Sequence, residues 1–141
     1  MGVGLRYVTL QGGAGLGVID TASRKVVDVI PVPGITGPHN LDLSADGRTA
    51  WVRDVVDSVA VLDLETRQVR KVLLAATGHA GIDVLPNGRY VVTGAIGDDV
   101  VTVIDPATLD ADSRESMPVM EEDGLRITGI GVPHGIVPTI A

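Results

Sequence analysis

The chain has 141 residues, 45% of them hydrophobic, with a mean hydropathy of +0.31 and a formal net charge of −7. That apolar content excludes disorder, and an acidic balance without any Lys/Arg cluster excludes nucleic acid and anionic membrane surfaces as partners. No run approaches the ~18 consecutive apolar residues of a membrane span. The opening Met1-Gly2-Val3-Gly4-Leu5-Arg6 has no signal-peptide pattern, and the absence of Cys excludes disulfides and thiolate metal sites.

Val, Ile, Leu and Ala runs broken by 18 Gly and 8 Pro predict an all-β chain. The first predicted strand carries Tyr7-Val8-Thr9. The glycine-rich stretch Gly12-Gly13-Ala14-Gly15-Leu16-Gly17 follows; it lacks dinucleotide-fingerprint spacing and leads into a strand instead of a helix. That next strand ends Val18-Ile19-Asp20, and its pattern returns as Val61-Leu62-Asp63 and Val103-Ile104-Asp105. The aspartates stand 43 and 42 residues apart, and the turn signals Asp46-Gly47-Arg48 and Asn87-Gly88-Arg89 recur after 41. The chain's three aromatic residues, Tyr7, Trp51 and Tyr90, each open a short strand 12 to 15 residues ahead of its aspartate.

A period near 42 is that of a four-stranded propeller blade. The clearest unit predicts strand a over 39–43, b over 50–54, c over 59–63 and d over 69–74. Strand c is apolar at consecutive positions, Val59-Ala60-Val61-Leu62, as expected of a strand covered on both faces by stacked blades. A one-sided sandwich would alternate more cleanly. The expected organisation is one propeller segment over 1–141: part of a blade at 5–33, a blade at 38–75, a blade at 79–132 with an irregular insertion at about 109–123, and the start of another at 134–141. Propellers close with roughly four to eight blades. These three blade-equivalents therefore imply either the remainder of a longer propeller chain or a homo-oligomer, two copies forming a six-bladed ring.

The run Val18-Ile19-Asp20-Thr21-Ala22-Ser23-Arg24-Lys25-Val26-Val27, with Pro38-His39-Asn40-Leu41-Asp42-Leu43-Ser44-Ala45-Asp46-Gly47, resembles the YVTN-type β-propeller repeat. The resemblance covers most of residues 5–109 and returns at Val132-Pro133-His134-Gly135-Ile136. It implies a propeller of seven or eight blades, in a superfamily with lactonase-like propellers and the haem d1 domain of nitrite reductases. Those relatives are functionally diverse and mostly extracytoplasmic. The acidic, Met- and Pro-containing stretch at 109–123 departs from the pattern.

All three histidines, His39, His79 and His134, stand at the entrance to a strand a and are expected to converge on one mouth of the channel. Neutral imidazole is the commonest metal ligand, so the three form a candidate site for copper, zinc or a haem iron; no cofactor is assigned outright. The plainer alternative is that each histidine ties its loop to the neighbouring backbone. The b–c loops open on the same mouth with Gln11, Arg53, Asp54, Asp57, Asp98 and Asp99, which gives a candidate ligand-binding set of His39, His79, His134, Asn40, Arg53 and Asp54. Asp20, Asp63 and Asp105 fall at the opposite rim as turn acceptors. Asp110-Ala111-Asp112 begins like a calcium loop, but Arg114 takes a ligand position and the turn glycine is missing. No catalytic residue is nominated. The expected role is a non-catalytic ligand- or protein-binding module; the alternative is a lactonase-like hydrolase, or a metal or haem domain, using the same mouth.

Overall fold

The computed structural model describes residues 4–13, 15–97, 100–115, 125–126 and 139–140. His134, Asp98 and Asp99 lie outside these residues, as does most of the expected final blade. Strands β1 (Leu5–Leu10), β2 (Gly15–Asp20) and β3 (Lys25–Pro31) form a first antiparallel sheet. The second contains β4 (Pro38–Leu43), β5 (Thr49–Asp54), β6 (Ser58–Asp63) and β7 (Gln68–Leu74) in that order. The third contains β8 (Ile82–Val84), β9 (Val91–Ala95), β10 (Val100–Asp105) and β11 (Asp110–Glu115), likewise in chain order. A short pair, β12 (Leu125–Arg126) and β13 (Thr139–Ile140), stands apart. The sheets are successive blades of a partial β-propeller, as the period requires. Among the described residues no helix is long and apolar enough to cross a membrane.

The turns repeat with the strands. Asp20 accepts from the amides of Ala22 and Ser23, Asp63 from those of Glu65 and Thr66, and Asp105 from that of Ala107. Each acidic cap lets the fourth residue on enter the left-handed region: Arg24 at φ 55°, Arg67 at 61° and Leu109 at 60°. The a–b turns match too, with Gly47 and Gly88 both at φ 71°. Their amides donate at 2.8 Å to the carbonyls of Ser44 and Leu85. Positive φ is what these positions demand and what glycine supplies without a steric penalty.

Packing follows register. Residues directly opposite in antiparallel strands share a face, so Val8, Gly17 and Val29 form one row of the first sheet. Leu41, Val52, Ala60 and Val72 form the equivalent row of the second. One core lies between those sheets: Leu16, Val18, Ile30 and Val32 against Ala50, Val52, Ala60 and Leu62. The next joins Trp51, Val59, Val61 and Leu73 of the second sheet to Ile82, Val91 and Ile104 of the third. The second blade is thus apolar on both faces because it has a neighbour on each.

Two details depart from the sequence reading. Tyr7 lies opposite Val18 and Trp51 opposite Val61, equivalent positions two residues before the aspartate. Tyr90 precedes β9, and Val92 takes the place opposite Val103. The third aromatic is therefore shifted by two residues, which accounts for its longer spacing. The stretch at about 109–123, expected to be an irregular insertion, is a paired strand over Asp110–Glu115, and its remainder lies outside the described residues. The Asp105 turn has the standard geometry and feeds β11, whose six residues pair in register with β10. The same pairing makes Asp110-Ala111-Asp112 a strand and not a cation loop. Its polar composition suits an outermost strand, as the charged β3 and β7 also show.

Candidate functional site

Strand β4, the first of its blade, lies against β8, the first strand of the next blade, and against β1, which corresponds to β5. At one rim, each b–c loop meets the segment that enters the next blade. After the 3-10 turn Gln11–Gly13, the carbonyl of Gln11 approaches Gly37 so closely that a Cβ there would lie 3.0 Å from it. The amide of Gly37 donates to Asp54 Oδ1 at 2.7 Å, and its carbonyl accepts from Val55 at 2.9 Å. One blade further on, the Gly78 amide donates to Val56 at 2.6 Å and Gly97 donates to Thr77 at 2.9 Å. Gly78 sits at φ 93°, and a Cβ on it would meet the Gly97 nitrogen at 2.6 Å, so no other residue fits without moving backbone.

These clamps bring His39 and His79 together. Their ring centroids are 4.1 Å apart with planes tilted by 43°. His39 Nδ1 is hydrogen-bonded to Asn40 Oδ1. An amide oxygen only accepts, so in this contact the ring nitrogen is the donor. The His39 carbonyl accepts from Thr9 Oγ1 at 2.7 Å, which ties it to the preceding blade.

Arg53 and Asp54 are at the same rim, buried and bonded to backbone. Arg53 is fully buried: Nη1 donates to Ser58 O at 3.1 Å, and Nη2 donates to Ala76 O at 2.6 Å and to Gly78 O, next to His79. Its Nε is buried without a partner among the described residues. Burial pushes the guanidinium pKa down, while the charges of Asp54 and Asp57 oppose that shift. Asp54, only 2% exposed, spends its Oδ1 on the amides of Gly37 and Val55. Asp57 caps its own loop by accepting from Ser58 Oγ at 2.9 Å.

Thr9 was not singled out by the sequence reading. It lies opposite Leu16 as Arg53 lies opposite Val59, so the two hold equivalent positions, and each donates to a carbonyl at the entry of the next blade. The phase of the repeat was the signal that could have found it. The glycines just ahead of the histidines, Gly37 and Gly78, were a second such signal.

Between the inner strands, Asp42 Oδ2 of β4 accepts from the Val84 amide of β8 at 2.7 Å. Asp83 follows at the equivalent place, and its carboxyl is pushed above the usual range, chiefly by burial and then by the charge of Asp42. Among the described residues, no three His, Cys, Asp or Glu side chains are grouped to hold a metal ion.

No protein-family model matches the sequence, and no curated protein matches it. Solved structures do share its fold. Hydrazine synthase of Kuenenia stuttgartiensis is 18% identical with a TM-score of 0.76, over 98% of this chain and 46% of that one. A 6-phosphogluconolactonase-like protein of Bacteroides fragilis is 16% identical with a TM-score of 0.71, over 96% of this chain and 39% of its own. Dihydro-heme d1 dehydrogenase NirN is 17% identical with a TM-score of 0.68, over 99% of this chain and 31% of its own. At such identities the likeness establishes the propeller fold alone. The chain spans less than half the length of each.

Proposed function

We propose that this chain is a non-catalytic, ligand-binding section of a β-propeller ring, with its binding groups at the rim where His39 and His79 meet. The observation that carries the reading is that meeting: two imidazoles from successive blades in ring contact at one channel mouth. Asn40 orients one ring, and Thr9, Arg53 and Asp54 hold the backbone segments that carry both. Arg53 and Asp54 are positioning residues in this reading, because burial leaves them no face for a solute. Their engagement also favours binding over turnover. A hydrolase needs a carboxylate within reach of substrate and a proton acceptor beside it, whereas Asp54 is buried with Oδ1 bonded to two backbone amides. The further blades of the ring, carried on a longer chain or a second copy, cover the open face of the first sheet. The YVTN-type resemblance supports an extracytoplasmic setting.

The test is a thermal-shift screen of the chain against small carboxylates, sugar acids and ferric haem, run in parallel on the His39→Ala/His79→Ala double variant. A compound that raises Tm in the native chain and not in the variant supports the reading. Turnover of a lactone, abolished in the same variant, would replace it with a hydrolase. A Soret band that depends on both histidines would replace it with a haem domain. A screen in which no compound distinguishes the two proteins overturns it.

A further inference from the structure

We infer that Asn87 is a modification site: its side-chain amide is lost through a cyclic imide with Gly88, leaving an aspartate that this turn is built to hold. The site is the turn at the end of β8 away from His79, and the inference does not rest on the mouth reading. Asn is among the thermolabile residues, and the chain has two, Asn40 and Asn87. Asn40 is half-buried in β4, bonded to His39 and followed by Leu41. Asn87 is exposed between β8 and β9, and the residue after it has no side chain to shield its amide. A Cβ on Gly88 would meet nothing within 4 Å, so a ring can close there without a clash.

The second blade shows what the product would meet. Asp46 and Gly47 hold the places of Asn87 and Gly88. Both glycines sit at φ 71° and donate at 2.8 Å to the carbonyl three residues back. Asp46 Oδ1 accepts from the Arg48 amide at 3.0 Å, and Asn87 Oδ1 accepts from the Arg89 amide at the same distance. Aspartate is thus the resident side chain of this turn one blade earlier, and a carboxylate at position 87 can accept the Arg89 amide in the same way. The two turns differ in how firmly the side chain is held. Asp46 Oδ1 also accepts from Ser44 Oγ at 2.6 Å, whereas Leu85 stands in the place of Ser44 and has no hydroxyl to give. Pro86, Asn87, Gly88 and Arg89 are all exposed, so opening this turn uncovers no core.

Water is the one co-reactant. The Gly88 nitrogen bonds to Asn87 Cγ, and the proton it gives up leaves with the side-chain nitrogen as ammonia. Water then opens the imide. Attack at Cγ returns the Gly88 amide and gives aspartate; attack at the backbone carbonyl gives iso-aspartate, whose longer main chain does not fit the two turn bonds.

The experiment is incubation of the whole chain at mildly alkaline pH with peptide mass mapping, using the urea-unfolded chain as the rate reference. The peptide carrying Asn87 should gain the mass of an amide-to-acid exchange, while Asn40 stays intact. The folded chain should convert more slowly than the unfolded one by about tenfold or less, as for a turn that opens locally. Asn87→Gln should give no product, and Asn87→Asp should keep the native Tm. An Asn87 that stays intact in the folded chain while the unfolded chain converts, or an Asn40 that converts as fast, overturns the modification. A lowered Tm in Asn87→Asp overturns the fit of the product to the turn.

Discussion

The first and second blades carry the same face and meet different fates. In the second sheet, Val52 is 0% exposed, packed against the blade before it. The equivalent residue of the first sheet, Val8, is 41% exposed. Val26 and Val29, at the positions of the half-buried Val69 and Val72, are 63% and 50% exposed. Inside them, β1 has no partner on its inner edge among the described residues, whereas β5 has β4. An apolar face opposite Gly15 and Gly17, flanked by an unpaired strand edge, is what a blade presents to a preceding blade. The repeat therefore writes apolar residues at a position whether or not a neighbour covers it. Burial, and with it the energetic weight of each residue, is set by the neighbour.

The largest expected effect comes from the doubly covered blade. Trp51→Ala should cost about 3–5 kcal/mol, since an indole buried among Val59, Val61, Leu73 and Ile82 leaves a cavity; urea denaturation measures it. Arg53→Met comes next, at about 2–3 kcal/mol, because the carbonyls of Ser58, Ala76 and Gly78 lose their donors. If it unfolds no more easily than the native chain, the blade-to-blade clamp is not structural.

Asp83→Asn sharpens the comparison at the inner strands. A carboxyl whose pKa is raised by folding destabilises the fold as pH climbs from its ordinary value through the raised one. The variant should therefore be more stable than the native chain at neutral pH and no more stable below pH ~3.8, the ordinary carboxylate value. An advantage equal at both pH values would contradict that account. The smallest effect belongs to the open face. Val26→Lys should change stability by no more than about 0.5 kcal/mol, as at other exposed sites, while reducing self-association in light scattering. A loss approaching that of Trp51→Ala would mean that a second copy already covers this face in solution, the closure by a second copy proposed above.

Much of the fold was legible because propeller turns are local chemistry. An Asp that caps the c–d turn and a Gly at positive φ in the a–b turn announce themselves at a fixed period, and strands between them need only β-branched apolar residues. Tyr90 shows the limit. An aromatic near a strand start reads as in phase, but two residues along a strand keep the same face, and only pairing with β10 exposes the shift. The polar outer strand β11 was obscured for a related reason: an edge strand with one neighbour has no apolar pattern to display.

The site divides in the same way. That His39 and His79 stand at equivalent entries was written in the 40-residue interval between them. Their ring contact, the bond between His39 and Asn40, and the conversion of Arg53 and Asp54 from apparent surface charges into buried clamps were decided by tertiary structure. The sequence by itself determined the repeat, its turns and the all-β class, since these depend on residues within a few positions of one another. Which polar groups face solvent and which are consumed holding the next blade depends on contacts between residues 25 or more positions apart, as for Arg53 and Gly78 or Thr9 and His39, and no local pattern encodes them.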